Sequence, residues 1–99
     1  MNVIMSRTKK FDDGSISFPI MQCWDPRTEI ATIAAQVSGE RVLCRIPMTV
    51  LKRKFSIFAD EPMKAITEYR AIIEAAARKL IEEKTFEKDG SINIQYKDL

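Results

Sequence analysis

From Arg41 to Ile46 apolar and polar positions alternate, with Val42, Cys44 and Ile46 on one face and Arg41, Leu43 and Arg45 on the other. That is the period-two signature of a strand with one face in a core. Upstream, Ala31, Ile33, Ala35 and Val37 share a face of a strand running from about Glu29 to Val37. Ser38-Gly39-Glu40 reverses the chain between the two, which predicts a hairpin. A short first strand is expected where Ile16 and Phe18 alternate with Ser15 and Ser17, after the turn signal Asp12-Asp13-Gly14 and before Pro19 interrupts. Trp24-Asp25-Pro26-Arg27-Thr28 reads as a loop, because Pro26 fixes its own φ and pushes Asp25 out of the helical region.

After Pro47 the period changes. Leu51, Phe55 and Phe58 recur at helical spacing, which predicts a short helix over about 48 to 57 with Pro47 placed as its first residue. Asp60, Glu61 and Pro62 form the strongest helix start: a side chain to accept from free amides, a negative charge at the positive end, and a residue that needs no hydrogen bond in the first turn. Ile66, Tyr69, Ile73, Ala76, Ala77 and Leu80 make the buried stripe of one helix reaching about Lys84, some 35 Å long at ~1.5 Å per residue. Lys64 with Glu68, Arg70 with Glu74, Glu74 with Arg78, and Lys79 with Glu83 sit four apart on its solvent side, each pair contributing roughly 0.2–0.5 kcal/mol. Asp89-Gly90 ends the helical stretch, and Ile92, Ile94 and Tyr96 alternate with Ser91, Asn93 and Gln95 in a last strand. Asp13-Gly14-Ser15-Ile16 and Asp89-Gly90-Ser91-Ile92 echo each other as two strands begun with the same turn chemistry, not as a repeat.

The order β-β-β-α-α-β predicts an α+β fold: a mainly antiparallel sheet of about four strands with two helices packed on one face. Residues 1–10 carry no period and are expected to form a flexible N-terminus, leaving residues 11–99 as a single α+β domain. With 99 residues, 45% hydrophobic and 30% charged, the chain has the makings of one modest core. Sixteen basic and fourteen acidic residues leave a net charge of +2, so any polyanion partner has to be argued from a local patch. No apolar run approaches the ~20 residues that span a bilayer, and the start of the chain lacks a secretory signal, so a cytoplasmic protein is expected. Cys23 and Cys44 then read as reduced thiols.

The pattern Val37-x-Gly39-x-x-Val42-x-Cys44-x-Ile46, with Trp24 upstream and Leu51, Phe55, Arg70, Ile73 and Glu74 downstream, resembles a family of small bacterial proteins, domain of unknown function fourteen eighty-eight. The resemblance covers roughly residues 15 to 98, including the closing Asp-Gly turn, the apolar strand and Asp98. It implies a compact bacterial α+β domain, and it supplies neither an activity nor catalytic residues. One departure is the position after Ile46, where the family often has a small hydroxyl residue suited to capping the next helix and this chain has Pro47.

The candidate chemistry is sparse. The chain has no histidine, so Cys23, the more reactive of the two thiols by position, has no imidazole base, and a zinc site would need carboxylates or a second chain. Cys44, between Val42 and Ile46, suits a small buried hydrophobe. Asp12 and Asp13 lack the twelve-residue ligand spacing of a calcium loop. Arg70 and Glu74, the pair that the resemblance highlights, fit a surface ion pair or a loop anchor better than acid-base work. No catalytic residue, cofactor or metal is therefore expected. Two binding readings stay open, with a small enzyme of unknown class as a residual third. Arg41, Arg45, Lys52, Arg53 and Lys54 form a candidate nucleic-acid patch. Outward Ile30 and Leu43, on a sheet face that no predicted element covers, form a candidate interaction face for a protein partner or a homodimer. The latter, a non-enzymatic interaction or self-association module, is the leading expectation.

Overall fold

The computed structural model describes residues 16–55 and 61–99. Its elements in chain order are β1 (Ile16–Ser17), β2 (Gln22–Asp25), β3 (Ile30–Val37), β4 (Glu40–Pro47), α1 (Met48–Phe55), α2 (Pro62–Glu68), α3 (Arg70–Glu82), β5 (Ile92–Asn93) and a closing 3-10 turn, Tyr96–Asp98. The N-terminal segment, the turn at Asp12–Gly14 and the cap expected from Asp60 lie outside the described residues.

The hairpin of β3 and β4 is the frame. It pairs from Val37 with Glu40 to Ile30 with Pro47, and both turn residues have positive φ, 53° at Ser38 and 87° at Gly39. Two consecutive left-handed residues define the turn whose twist matches that of its strands, and Gly39 adopts that conformation without a Cβ penalty. The register sets Ala31, Ile33 and Ala35 beside Ile46, Cys44 and Val42 on a single face. All six are buried, in one cluster with Leu51, Ile66, Ile73, Ala76, Ala77, Leu80, Ile81, Ile92 and Ile94. The helices therefore cover that inner face, as expected.

Three expectations need correction. The first two residues expected in a loop, Trp24 and Asp25, are the end of a strand, β2, which pairs antiparallel with Ile30–Ile33 and turns Trp24 toward the core beside Ala31. The turn at Pro26 is real, but it closes a second hairpin instead of a long loop. Since β1 pairs with the other end of β3, at Gln36 and Val37, β1 and β2 lie in succession along one edge. The sheet has five strands and is mixed, because β5 runs parallel to β4, Cys44 beside Ile92 and Arg45 beside Asn93. A strand that returns after helices have crossed the sheet face enters in the direction of the strand they followed. Finally, the long helix is two. It breaks at Tyr69 (φ −106°, ψ 24°), giving three α-helices among the described residues. Two contacts accompany the break: the Thr67 hydroxyl donates to the Met63 carbonyl at 3.0 Å, a back-bond of the kind that bends helices, and the Tyr69 ring stacks on Phe55 at 4.1 Å between centroids. Pro47 closes β4, and α1 begins one residue later.

Candidate interaction surfaces

The outer face of the sheet is built by the alternate residues of each strand. Cys23 lies beside Thr32 and Asp25 beside Ile30, while Thr32, Ala34 and Gln36 lie beside Arg45, Leu43 and Arg41. Ile30 and Leu43 are both half-buried on this face, Cys23 is exposed, and Ala34 at its middle is fully buried. None of the outward residues belongs to the core cluster. Both expected interaction residues thus lie on one surface, with Asp25 at one end and Arg41 at the other.

The five expected nucleic-acid residues are not brought together. Arg41 is exposed on the outer face at the hairpin end. Arg45 is committed elsewhere: its Nη1 donates to Asp89 Oδ2 at 3.0 Å and to the Ser91 hydroxyl oxygen at 3.1 Å. Asp89 Oδ1 also accepts from the Ser91 hydroxyl at 2.6 Å and from its backbone N–H at 2.9 Å. These bonds from Ser91, with Arg45 adding to them, hold the Asp89 carboxyl well below the usual carboxylate range. Lys52, Arg53 and Lys54 are exposed on α1. Sequence reasoning missed their neighbour, Tyr96: the Arg53 guanidinium carbon lies 4.2 Å from its ring centroid and Lys54 Nζ 5.6 Å. The alternation from Ile92 predicts a strand at Tyr96, whereas Tyr96 opens the closing turn.

A third feature is a cleft of about 380 Å³ between the β1–β2 edge and the start of α3, lined by Phe18, Ile20, Gln22, Thr67, Arg70 and Glu74. Arg70, its side chain 18% exposed, spreads its guanidinium over three acceptors: Glu74 Oε2 at 2.7 Å, Gln22 Oε1 at 2.8 Å and the Pro19 carbonyl at 2.6 Å. The pair expected at these positions is therefore a loop anchor that ties the kinked edge strand to the helix junction. Of the other i to i+4 pairs, none forms an ion pair among the described residues, and Lys64 reaches back to Glu61 at 3.5 Å.

Cys44 is fully buried, and loss of solvent pushes its thiol up to about 12, with Arg70 opposing weakly. A thiol so hard to ionise is a poor nucleophile. Among the described residues no three histidine, cysteine or carboxylate side chains gather as metal donors, and no helix is long and apolar enough to cross a membrane.

These features define a small α+β domain with a mixed sheet, one helix-covered face and one face that no described helix covers. The chain belongs to the DUF1488 family, proteins of unknown function, whose model matches residues 16–94. A solved structure of a DUF1488 family protein of unknown function from Shewanella loihica is 27% identical and has a TM-score of 0.75, covering 82% of this chain and 92% of that one. No curated protein matches the chain.

Proposed function

We propose that the protein is a non-enzymatic self-association module whose outer sheet face seats against the same face of a second copy. One observation carries the reading: the described helices gather on the inner face, while the outer face keeps Ile30, Thr32 and Leu43 half-buried around the fully buried Ala34, with Asp25 and Arg41 at opposite ends. That arrangement suits pairing with itself. A two-fold axis lying in the interface, perpendicular to the line from Asp25 to Arg41 at its midpoint, carries each residue onto the other. With strands ~4.8 Å apart and ~3.4 Å per residue, the same axis lays Leu43 of each copy over β3 of the other, between Ile30 and Thr32. A face of this size buries roughly 500 Å² per copy, at the lower edge of specific interfaces, so association is concentration-dependent.

Light scattering on the eluting protein, loaded from roughly 5 to 500 μM, tests it. The expected result is a mass that rises from monomer to dimer, and a monomer throughout for Leu43→Glu with unchanged thermal unfolding. The native thiol at Cys23 supplies a second readout, since its labelling slows as the dimer forms. A wild-type chain that stays monomeric across the series overturns the proposal, even if it captures some other protein.

A further inference from the structure

We infer that α1 and the closing turn form a binding site for single-stranded nucleic acid, separate from the outer sheet face. Lys52, Arg53 and Lys54 follow one another on the exposed side of a helix held down by Met48 and Leu51. The fold adds Tyr96 and Lys97, which lie beyond the reach of any local sequence pattern. Tyr96 is 41% exposed although its ring carries Arg53 and Lys54. The acid of this turn, Asp98, folds back to accept the Gln95 N–H at 2.8 Å. Among the described residues none of Lys52, Arg53, Lys54 or Lys97 joins an ion pair.

Two cations on an accessible aromatic ring, with Lys52 and Lys97 next to them along the chain, are the two components that bind a strand without reading its sequence: charge for the phosphates and a flat surface for a base. A duplex hides its base faces in the stack, so only a single strand uses both. The guanidinium of Arg53 already lies against the ring, and an arginine plane stacked on an aromatic extends the surface available to a base. Arg41 and Arg45 have no part in the site, the first being on the outer sheet face and the second engaged by Asp89 and Ser91.

Fluorescence anisotropy with labelled oligo-dT and oligo-U, at ~50 mM salt and above, decides the matter. Either oligomer is expected to bind better than a duplex of equal length, and four phosphate contacts give a loss of about fiftyfold between ~50 and ~200 mM salt. Arg53→Gln with Lys54→Gln is expected to weaken binding and reduce the salt slope to about half. Tyr96→Ala should weaken it by roughly five- to hundredfold, whereas Tyr96→Phe retains it. Lys88→Gln, exposed before β5 and away from both the site and the dimer face, should leave it unchanged. The inference fails if neither oligomer binds at low salt, if Lys88→Gln weakens binding as much as the α1 double variant, if the duplex binds as well, or if base-free polyphosphate competes as strongly per charge. The double variant changes only exposed side chains, so it remains decisive should Tyr96→Ala unfold. Light scattering on the same α1 variant separates this site from the dimer face, which it leaves intact.

Discussion

At Cys44 the physical cost of charge is set by what surrounds the sulfur. Its neighbours in the register are Ile33 and Ile92, and its Sγ lies 3.8 Å from the Val42 carbonyl. Ionisation is penalised in the folded chain only, so the folded thiol holds its proton to about 12 while the unfolded thiol releases it near the ordinary 9.0. Between those values the unfolded state binds fewer protons than the folded state, and stability falls as pH rises, by about 1.4 kcal/mol per unit from this group alone. Below 9.0 both states are protonated and the thiol contributes no pH dependence. Cys44→Ala removes the sulfur's packing, which costs about 1 kcal/mol at pH 8, but it also removes this alkaline loss. Urea unfolding of the two proteins is expected to show their stability difference shrinking above pH 9.0 and closing about one unit higher. A difference that stays constant through that range would mean that Cys44 titrates normally. The inward position of this residue was legible from the alternation of Val42, Cys44 and Ile46. The engagement of Arg45 on the opposite face was not, because its partners, Asp89 and Ser91, lie 44 and 46 residues away.

Between elements, Arg70 joins the helix junction to acceptors that lie 48 and 51 residues away in the chain, at Gln22 and Pro19. It stands at the first position of α3, after the break at Tyr69, and holds the Pro19 carbonyl and the Gln22 side chain where the edge strand leaves β1 and enters β2. Both Arg70→Ala and Arg70→Lys are expected to lower stability by about 2 kcal/mol, since a lysine ammonium cannot serve three acceptors set in a fork. Loss of hydrogen-exchange protection should concentrate in β2, and a lysine variant as stable as the parent would refute the anchoring role. The same geometry explains which elements were readable. The β3–β4 hairpin is specified locally, by two alternating runs and a Ser-Gly turn. The strand β2 is only four residues beside a Pro-containing turn, and its pairing depends on β3 being in place. The helix break is silent in the sequence because Ile66, Tyr69 and Ile73 keep a helical period straight through it, with no glycine or proline to mark it. The direction of β5 depends on how the helices cross the sheet, a property of their packing and not of Ile92 or Ile94.

For the whole molecule, the two-fold pairing proposed for the outer face makes a demand on charge that a single chain cannot satisfy. Arg41→Glu faces Asp25 of a like copy at both ends of the interface, and Asp25→Lys faces Arg41 in the same way, so each variant alone is expected to remain monomeric at concentrations where the parent dimerises. Mixed, the two restore attraction at both ends, because the new glutamate meets the new lysine and the native Asp25 of one chain meets the native Arg41 of the other. Like charges in apposition suppress wrong partners more effectively than opposite charges add affinity, so the mixture should form the heterodimer with little of either homodimer. Native mass spectrometry resolves these species directly. Should the mixture stay monomeric while the parent dimerises, the copies meet in some other orientation. Should either single variant dimerise as the parent does, Asp25 and Arg41 do not face each other and the axis drawn through the sheet is wrong.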